Sequence, residues 1–250
     1  MTGPSERVDQ TSPGKISDIT ETNIERFSTD ATVTRYERLI ETGLFEAERT
    51  IVDRYYTPGE SVLDVGCGVG RTTSELDESG FDVLGVDTSR QQIERARELF
   101  PDIEFRVDNA LDLDVADRSY DHVLFSYNGL DCIHPESSRL AALEEFHRVL
   151  KPEGSLAFSS RNAWYRFPAL VLDHGFLSRF YLSTENIRRF FDPYKIQYDG
   201  NQPFEMYLST PRKQYHQLRA CGFVPLEIVG KHDGIARLFE IMPYYVAKKP

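Results

Sequence analysis

The chain has 250 residues, 40% hydrophobic and 28% charged, with a formal net charge of −11 at pH 7. That length allows one well-buried α/β domain with an insertion. The acidic balance argues against a bulk electrostatic grip on nucleic acid, which needs a basic footprint. No apolar run approaches the roughly 18 residues of a membrane span, and the polar start, MTGPSERVDQ, lacks the apolar core of a secretion signal. Cys67, Cys132 and Cys221 are odd in number and lack metal-ligand spacing. They read as reduced thiols of a cytoplasmic protein, and no metal site is expected.

Residues 1–33 are polar and carry Gly3, Pro4 and Pro13. They are expected to form a loosely ordered N-terminal segment. A helical pattern follows from Thr34 to Tyr56 (Tyr36, Leu39, Ile40, Leu44, Ile51, Val52, Tyr55), with Gly43 separating two helices. Val62, Leu63 and Val65 then form an apolar run that breaks into Gly66, Gly68 and Gly70. This predicts a buried strand, a side-chain-poor loop and the start of a helix. Such a loop admits a nucleotide-like ligand close to the backbone. A dinucleotide loop, G-x-G-x-x-G, is the nearest competing reading. Here the third glycine comes one residue early, Arg71 stands where that pattern has glycine, and Asp64 would repel a pyrophosphate. A ligand with a nucleoside at one end and a cationic amino-acid group at the other fits better.

Phe81–Val86 is a second strand ending in Asp87, about 20 residues past the glycines. That is the place of an acid that accepts hydrogen bonds from ribose hydroxyls. Thr88 and Ser89 open a helix. A third strand, Ile103–Val107, ends in Asp108-Asn109-Ala110-Leu111. Its acid and amide are in register to reach a purine amine, although Asp-Asn is also an ordinary turn. Strand four covers Tyr120–Ser126, a helix Glu136–Leu150 stops at Pro152, and strand five covers Ser155–Ser160. Strands alternating with helices imply a parallel sheet covered on both faces. Residues 162–208 break the alternation and are rich in aromatics, including the only tryptophan, Trp164. They are expected to form an inserted cap over the substrate side. Thr210-Pro211 opens a last helix, and strands follow at Phe223–Val229 and Tyr244–Lys248.

In order and spacing, LDVGCGVGRTT (63–73), VLGVDTSRQQIERAR (83–97), RVDNALDL (106–113), YDHVLFSYNGLDCI (120–133) and RVLKPEGSLAFSS (148–160) resemble the class I S-adenosylmethionine-dependent methyltransferases. The resemblance covers about 100 residues. It implies a Rossmann-like, doubly wound seven-stranded α/β sheet, mostly parallel with an antiparallel last strand. The expected units are a core (34–161), the inserted cap (162–208) and a C-terminal part of the sheet (209–250). S-adenosyl-L-methionine is the implied cofactor, with Asp64 and Gly66 near its methionine part, Asp87 on the ribose and Asp108 at the adenine amine. Cys67, Gly68, Arg71, Thr88, Asn109, Ala110, Ser126 and Tyr127 complete the expected cofactor contacts. Helices ahead of the glycine loop often cover the cofactor in this family, which makes Arg35 and Tyr36 further contacts; core packing is the competing role for Tyr36. Glu153 departs from the family's Pro-Gly-Gly turn.

The loop after strand four is where the methyl group should point. Its His134 is a candidate base near neutral pH, with Asp131 orienting it or acting itself; a plain loop histidine is the competing reading. Asn128, Arg161, Arg166 and Tyr207 are candidate substrate contacts, the arginines for an anionic group. The expected activity is methyl transfer to a hydroxyl or carboxylate oxygen of a small molecule or sugar. C-methylation of a quinone-like substrate and non-catalytic cofactor binding are the alternatives.

Overall fold

The apolar run ahead of the glycines folds as predicted into strand β1 (Ser61–Val65), and everything else is arranged around it. The structure, a computed structural model, describes residues 18–189, 191–199 and 202–250. Helices α1 (Asp18–Phe27), α2 (Asp30–Ile40) and α3 (Glu46–Tyr55) precede β1. Then come α4 (Arg71–Glu78), β2 (Asp82–Asp87), α5 (Arg90–Leu99), β3 (Glu104–Val107), β4 (Tyr120–Phe125), α6 (Glu136–Val149) and β5 (Leu150–Ser159). Short helices α7 (Arg166–Leu172), α8 (His174–Phe176) and α9 (Thr184–Arg188) lead to β6 (Tyr194–Asp199) and β7 (Gln202–Tyr207). The chain ends with α10 (Pro211–Ala220), β8 (Val224–Val229) and β9 (Tyr244–Lys248).

Seven strands form one sheet in the order β3-β2-β1-β4-β5-β9-β8. The pairs among β3, β2, β1, β4 and β5 are parallel, whereas β9 runs antiparallel to both neighbours. The strand order turns back between β1 and β4, the crevice where ligands of such sheets bind. Alternating side chains divide the core into two layers. Leu63, Val65, Val123, Phe125, Leu156 and Phe158 pack against Leu143 and Phe146 of α6. Val62, Leu124, Ala157 and Val246 face Ile51 and Val52 of α3 and Leu76 of α4. Each fully buried aliphatic or aromatic side chain of these layers contributes about 1.5–3 kcal/mol. β6 and β7 pair as a separate hairpin outside the main sheet. Tyr198-Asp199-Gly200-Asn201 reads as a turn in the sequence, and Gly200 and Asn201 of it lie outside the described residues.

Two expectations need correction. Residues 18–33 are not loose: α1 and the start of α2 occupy them, and Asn23 Nδ2 donates to the carbonyls of Cys132 (3.0 Å) and Glu205 (3.2 Å). The rest of the predicted loose segment, residues 1–17, lies outside the described residues. β5 also begins earlier than expected, at Leu150, because Leu150 pairs with Tyr120 and the Glu153 amide reaches the Lys249 carbonyl at 2.9 Å. Glu153 sits at φ +71, a left-handed position that glycine fills without strain. Among the described residues no helix is long and apolar enough to cross a membrane, and no His, Cys, Asp and Glu side chains cluster as metal ligands. The three cysteines are unpaired.

Below the site, β4 carries a buried histidine. His122 Nδ1 lies 2.8 Å from Ser155 Oγ, Nε2 lies 2.8 Å from Glu60 Oε2, and the Tyr56 ring stacks on the imidazole at 3.8 Å. A carboxylate only accepts, so Nε2–H donates to Glu60 and Nδ1 accepts from the serine hydroxyl. Burial holds the His122 pKa below its ordinary value, against the pull of Glu60. The unfolded chain, with a histidine pKa near 6.5, therefore binds the proton more readily. This part of the stability is present above about pH 6.5 and is lost as the pH falls through the folded-state value. In paired thermal melts, the advantage of wild type over His122→Phe is expected to shrink as the pH drops from 7.5 to 5. A pH-independent difference would contradict the neutral assignment.

Candidate active site

The carboxyl ends of β1, β2 and β3 open on one cavity of about 1220 Å³, its mouth included. Its floor is the glycine loop. Gly66 has φ +63, and a Cβ there would sit 2.4 Å from the Phe125 ring, so only glycine lets loop and strand approach. The Gly68 amide donates to Asp87 Oδ2 at 3.0 Å, and the Ser89 amide donates to Oδ1 at 2.8 Å. Asp87 is thus fixed at the cavity wall with lone pairs to spare, and burial raises its pKa against those backbone bonds. Asp108 accepts from the amides of Asn109 (2.7 Å) and Asp114 (3.0 Å), and Asn109 Oδ1 accepts from the Leu111 amide. Gly66, Cys67, Gly68, Thr88, Asp108, Asn109 and Ala110 all line the cavity. Burial pushes the Cys67 thiol well up, with Asp64 and Asp87 adding to the effect.

Asp64 is placed differently. It lies behind the wall, fully buried, and its Oδ2 accepts from Thr72 Oγ1 (2.5 Å) and Thr73 Oγ1 (2.7 Å). The carboxylate anchors the first turn of α4 under the loop. Its Oδ1 is buried without a hydrogen-bond partner, and burial pushes the carboxyl pKa up to about 6. Gln92 Oε1, beside the cavity, is likewise an unpartnered acceptor. Unpartnered acceptors around a glycine-floored cavity suit a ligand that brings donors.

Arg71 and Ser126 line the cavity, yet both are committed to the protein. The Arg71 guanidinium grips the buried Glu48 carboxylate through two bonds of 2.7 Å, reaches the Gly43 carbonyl at 2.7 Å and stacks over Phe45 at 4.1 Å. Ser126 Oγ bonds to Glu48 and to Tyr244 Oη. Burial alone would raise the Glu48 pKa, but Arg71, Ser126 and Tyr244 together hold it below the usual value. The mouth is roofed by Asn23, Ile24 and Phe27 of α1 and by Tyr36 and Leu39 of α2. Tyr36 meets Tyr127 edge-on at 6.0 Å, and burial first of all raises its pKa beyond the ordinary phenol range. The sequence reading named Tyr36 but missed α1 and Glu48. The only local signal for α1 was the Ile24–Phe27 pair, three residues apart.

The candidates for proton transfer and substrate contact are dispersed. Asp131 is fully buried beside Arg139: Oδ1 accepts from Arg139 Nη1 (2.9 Å) and Ser160 Oγ (2.7 Å), and Oδ2 accepts from the Arg161 amide (2.6 Å). Burial lifts its pKa to about 6 against the pull of Arg139. His134 packs its ring 4.3 Å from Tyr194 and does not line the cavity. Tyr207 is a core residue, its hydroxyl accepting from Gln217 and its ring facing Arg139. Asn128 is buried at φ +62, with its amide on Ser159 Oγ and its Nδ2 near Met242 Sδ. Arg166 is exposed and lies over Phe167. Arg161 remains close to the cavity, behind Tyr127 and Cys132. Asp131→Asn is expected to lower stability by about 3–5 kcal/mol, because it leaves Arg139 buried without its counter-charge. Urea titration measures this, and an unchanged midpoint would show that Asp131 does not neutralise Arg139.

Comparison with known proteins agrees with this geometry. Residues 62–154 match the family model of a methyltransferase domain. The chain is 35% identical over 129 residues to a demethylmenaquinone methyltransferase of Beutenbergia cavernae, covering 51% of this chain and 49% of that protein. It is 32% identical over 108 residues to the O-methyltransferase resE of Aspergillus sclerotiorum, covering 40% and 39%. The chain thus spans about half or less of the curated relatives it matches. An S-adenosylmethionine-dependent methyltransferase of Methanosarcina mazei superposes with a TM-score of 0.66 over 83% of this chain and 98% of that one, at 22% identity. Sheet order, glycine loop and matched segment coincide: residues 62–154 are similar to a methyltransferase domain, set in a fold shared with solved S-adenosylmethionine-dependent methyltransferases.

Proposed function

We propose that the protein transfers a methyl group from S-adenosylmethionine to an oxygen of a small-molecule acceptor. The observation that carries this reading is the convergence of the Gly66–Gly68 floor, Asp87 and Asp108-Asn109 on one cavity closed by Tyr36 and Tyr127. In this reading Asp87 accepts from the ribose hydroxyls, Asp108 and Asn109 face the adenine, and the glycine backbone leaves room for the amino-acid part. Bound S-adenosylmethionine supplies a methyl group on a sulfonium, an electrophile that needs alignment more than activation. The chain's own contribution is to hold both partners and to exclude water with the aromatic roof. Among the described residues no histidine or lysine lines the cavity. The lining thiol Cys132 and phenol Tyr36 are pushed up by burial, which makes them poor bases at neutral pH.

Two measurements test this. Calorimetry with S-adenosylhomocysteine is expected to show at least tenfold weaker binding for Asp87→Ala than for wild type; equal affinity would remove the ribose assignment. Transfer of labelled methyl from S-adenosylmethionine to a panel of carboxylic acids, phenols and quinols is expected to yield an O-methyl product, with His134→Ala retaining most of the rate. A collapse in that variant would restore His134 as the base.

C-methylation of a quinone-like ring is the second reading. The relative named demethylmenaquinone methyltransferase favours it, as do the Phe27, Tyr36 and Tyr127 rings around the mouth. Methyl label resistant to ester and ether cleavage in the product would select this reading.

A further inference from the structure

Arg161 follows β5 by two residues, where the loop after β4 meets the cap. Its backbone is fixed: the amide donates to Asp131 Oδ2 and the carbonyl accepts from the Ser209 amide at 3.3 Å. Its guanidinium is not. Nε is buried without a hydrogen-bond partner, and the group belongs to no ion pair among the described residues. The groups that act on it electrostatically are Asp131, Tyr127, Tyr181 and Cys132, while burial holds its pKa below the ordinary arginine value. Asp131 does not neutralise it, since both of its oxygens are already occupied and Arg139 claims its charge. One carboxylate therefore stands between the buried Arg139 guanidinium and the half-buried Arg161 guanidinium, leaving one positive charge in excess.

A desolvated cation without a partner is costly, and proteins keep one where a ligand supplies the counter-charge. The neighbours of Arg161 say where that ligand sits. Tyr127 and Cys132 line the cofactor cavity, whereas Tyr181 belongs to the aromatic segment after β5 and donates its hydroxyl to the Asn162 carbonyl at 3.3 Å. The guanidinium thus lies on the border between the cavity and the cap, flanked by two phenol rings.

We propose that Arg161 binds a carboxylate of the methyl acceptor, so that the substrate class is an aromatic or similarly flat carboxylic acid. The inference rests on the methyl-transfer reading and narrows its acceptor. A guanidinium fork matches a carboxylate with two parallel hydrogen bonds, and its charge keeps the acid ionised. An acceptor that arrives ionised also fits a cavity without a neutral-pH base, because a carboxylate oxygen has no proton to lose.

The test uses the full chain loaded with S-adenosylhomocysteine, with benzoate as probe and benzamide as its uncharged counterpart. Benzoate is expected to raise the melting temperature of wild type saturably and benzamide far less. Arg161→Gln should bind benzoate at least tenfold more weakly, and Arg161→Lys should keep part of the effect. Without any ligand Arg161→Gln should melt at or above wild type, since it removes a half-buried charge that has no ion-pair partner, and its S-adenosylhomocysteine affinity should be unchanged. Equal effects of benzoate and benzamide, an undiminished benzoate response in Arg161→Gln, or a clear loss of ligand-free stability in that variant would each overturn the proposal. Failure of wild type to bind S-adenosylhomocysteine would instead overturn the methyl-transfer reading, so the two failures are distinguishable.

Discussion

The buried ion pair between Glu48 and Arg71 is the joint on which the site hangs. Glu48 is inaccessible to solvent, and its carboxylate receives Arg71 twice, the Phe45 amide, Ser126 Oγ and Tyr244 Oη. Removing two charges from water is expensive, and only full satisfaction of both groups makes such a pair tolerable. Here the satisfying groups come from the residue ahead of α3, from the first residue of α4, from the residue after β4 and from β9. The helices ahead of the sheet are thereby locked to the loop that holds the ligand. Phe45 completes the joint by presenting its ring to both Arg71 and Tyr127.

With α4 fixed at its first residue, the glycine loop has little freedom left. Asp64 ties the loop from below through Thr72 and Thr73, and Asp87 ties it from the side through the Gly68 amide. The loop is thus free of bulky side chains without being slack, the preorganised state that lets a ligand meet the backbone at low entropic cost. It also explains why two acids of similar appearance have different surroundings. Asp87 faces the cavity between amides, whereas Asp64 lies under it between hydroxyls, keeping one oxygen without a partner.

The sheet was legible because buried parallel strands read as short apolar runs, and the cofactor side was legible because glycines and acids fall at the ends of those runs. The other wall depends on contacts remote in sequence. Asn23 bonds to the carbonyls of residues 132 and 205, and nothing in a polar stretch such as Asp18–Phe27 announces that. Glu48 sits in Glu46–Tyr55 among other acids and bases, and only the fold reveals that this one points inward. The surroundings of the loop after β4 were illegible for a related reason. Tyr127 and Asn128 both adopt positive φ, which turns the chain so that Asp131 points away from the cavity toward Arg139, while His134 lands on Tyr194. Spacing along the sequence carries no trace of that turn.

That turn also divides the roles on the acceptor side. Asp131 clasps the loops after β4 and β5 through Arg139, Ser160 and the Arg161 amide, so its charge is spent on structure. Asn162 continues the clasp by donating to the carbonyls of Leu238 and Glu240. The floor on this side is therefore rigid, and the cation left over upon it is the Arg161 guanidinium. On the proposal for Arg161, a rigid floor with a surplus positive charge would select by charge and shape. In the proposed reading such a floor suits a nucleophile that arrives ionised, which would leave a base in the loop after β4 no proton to take.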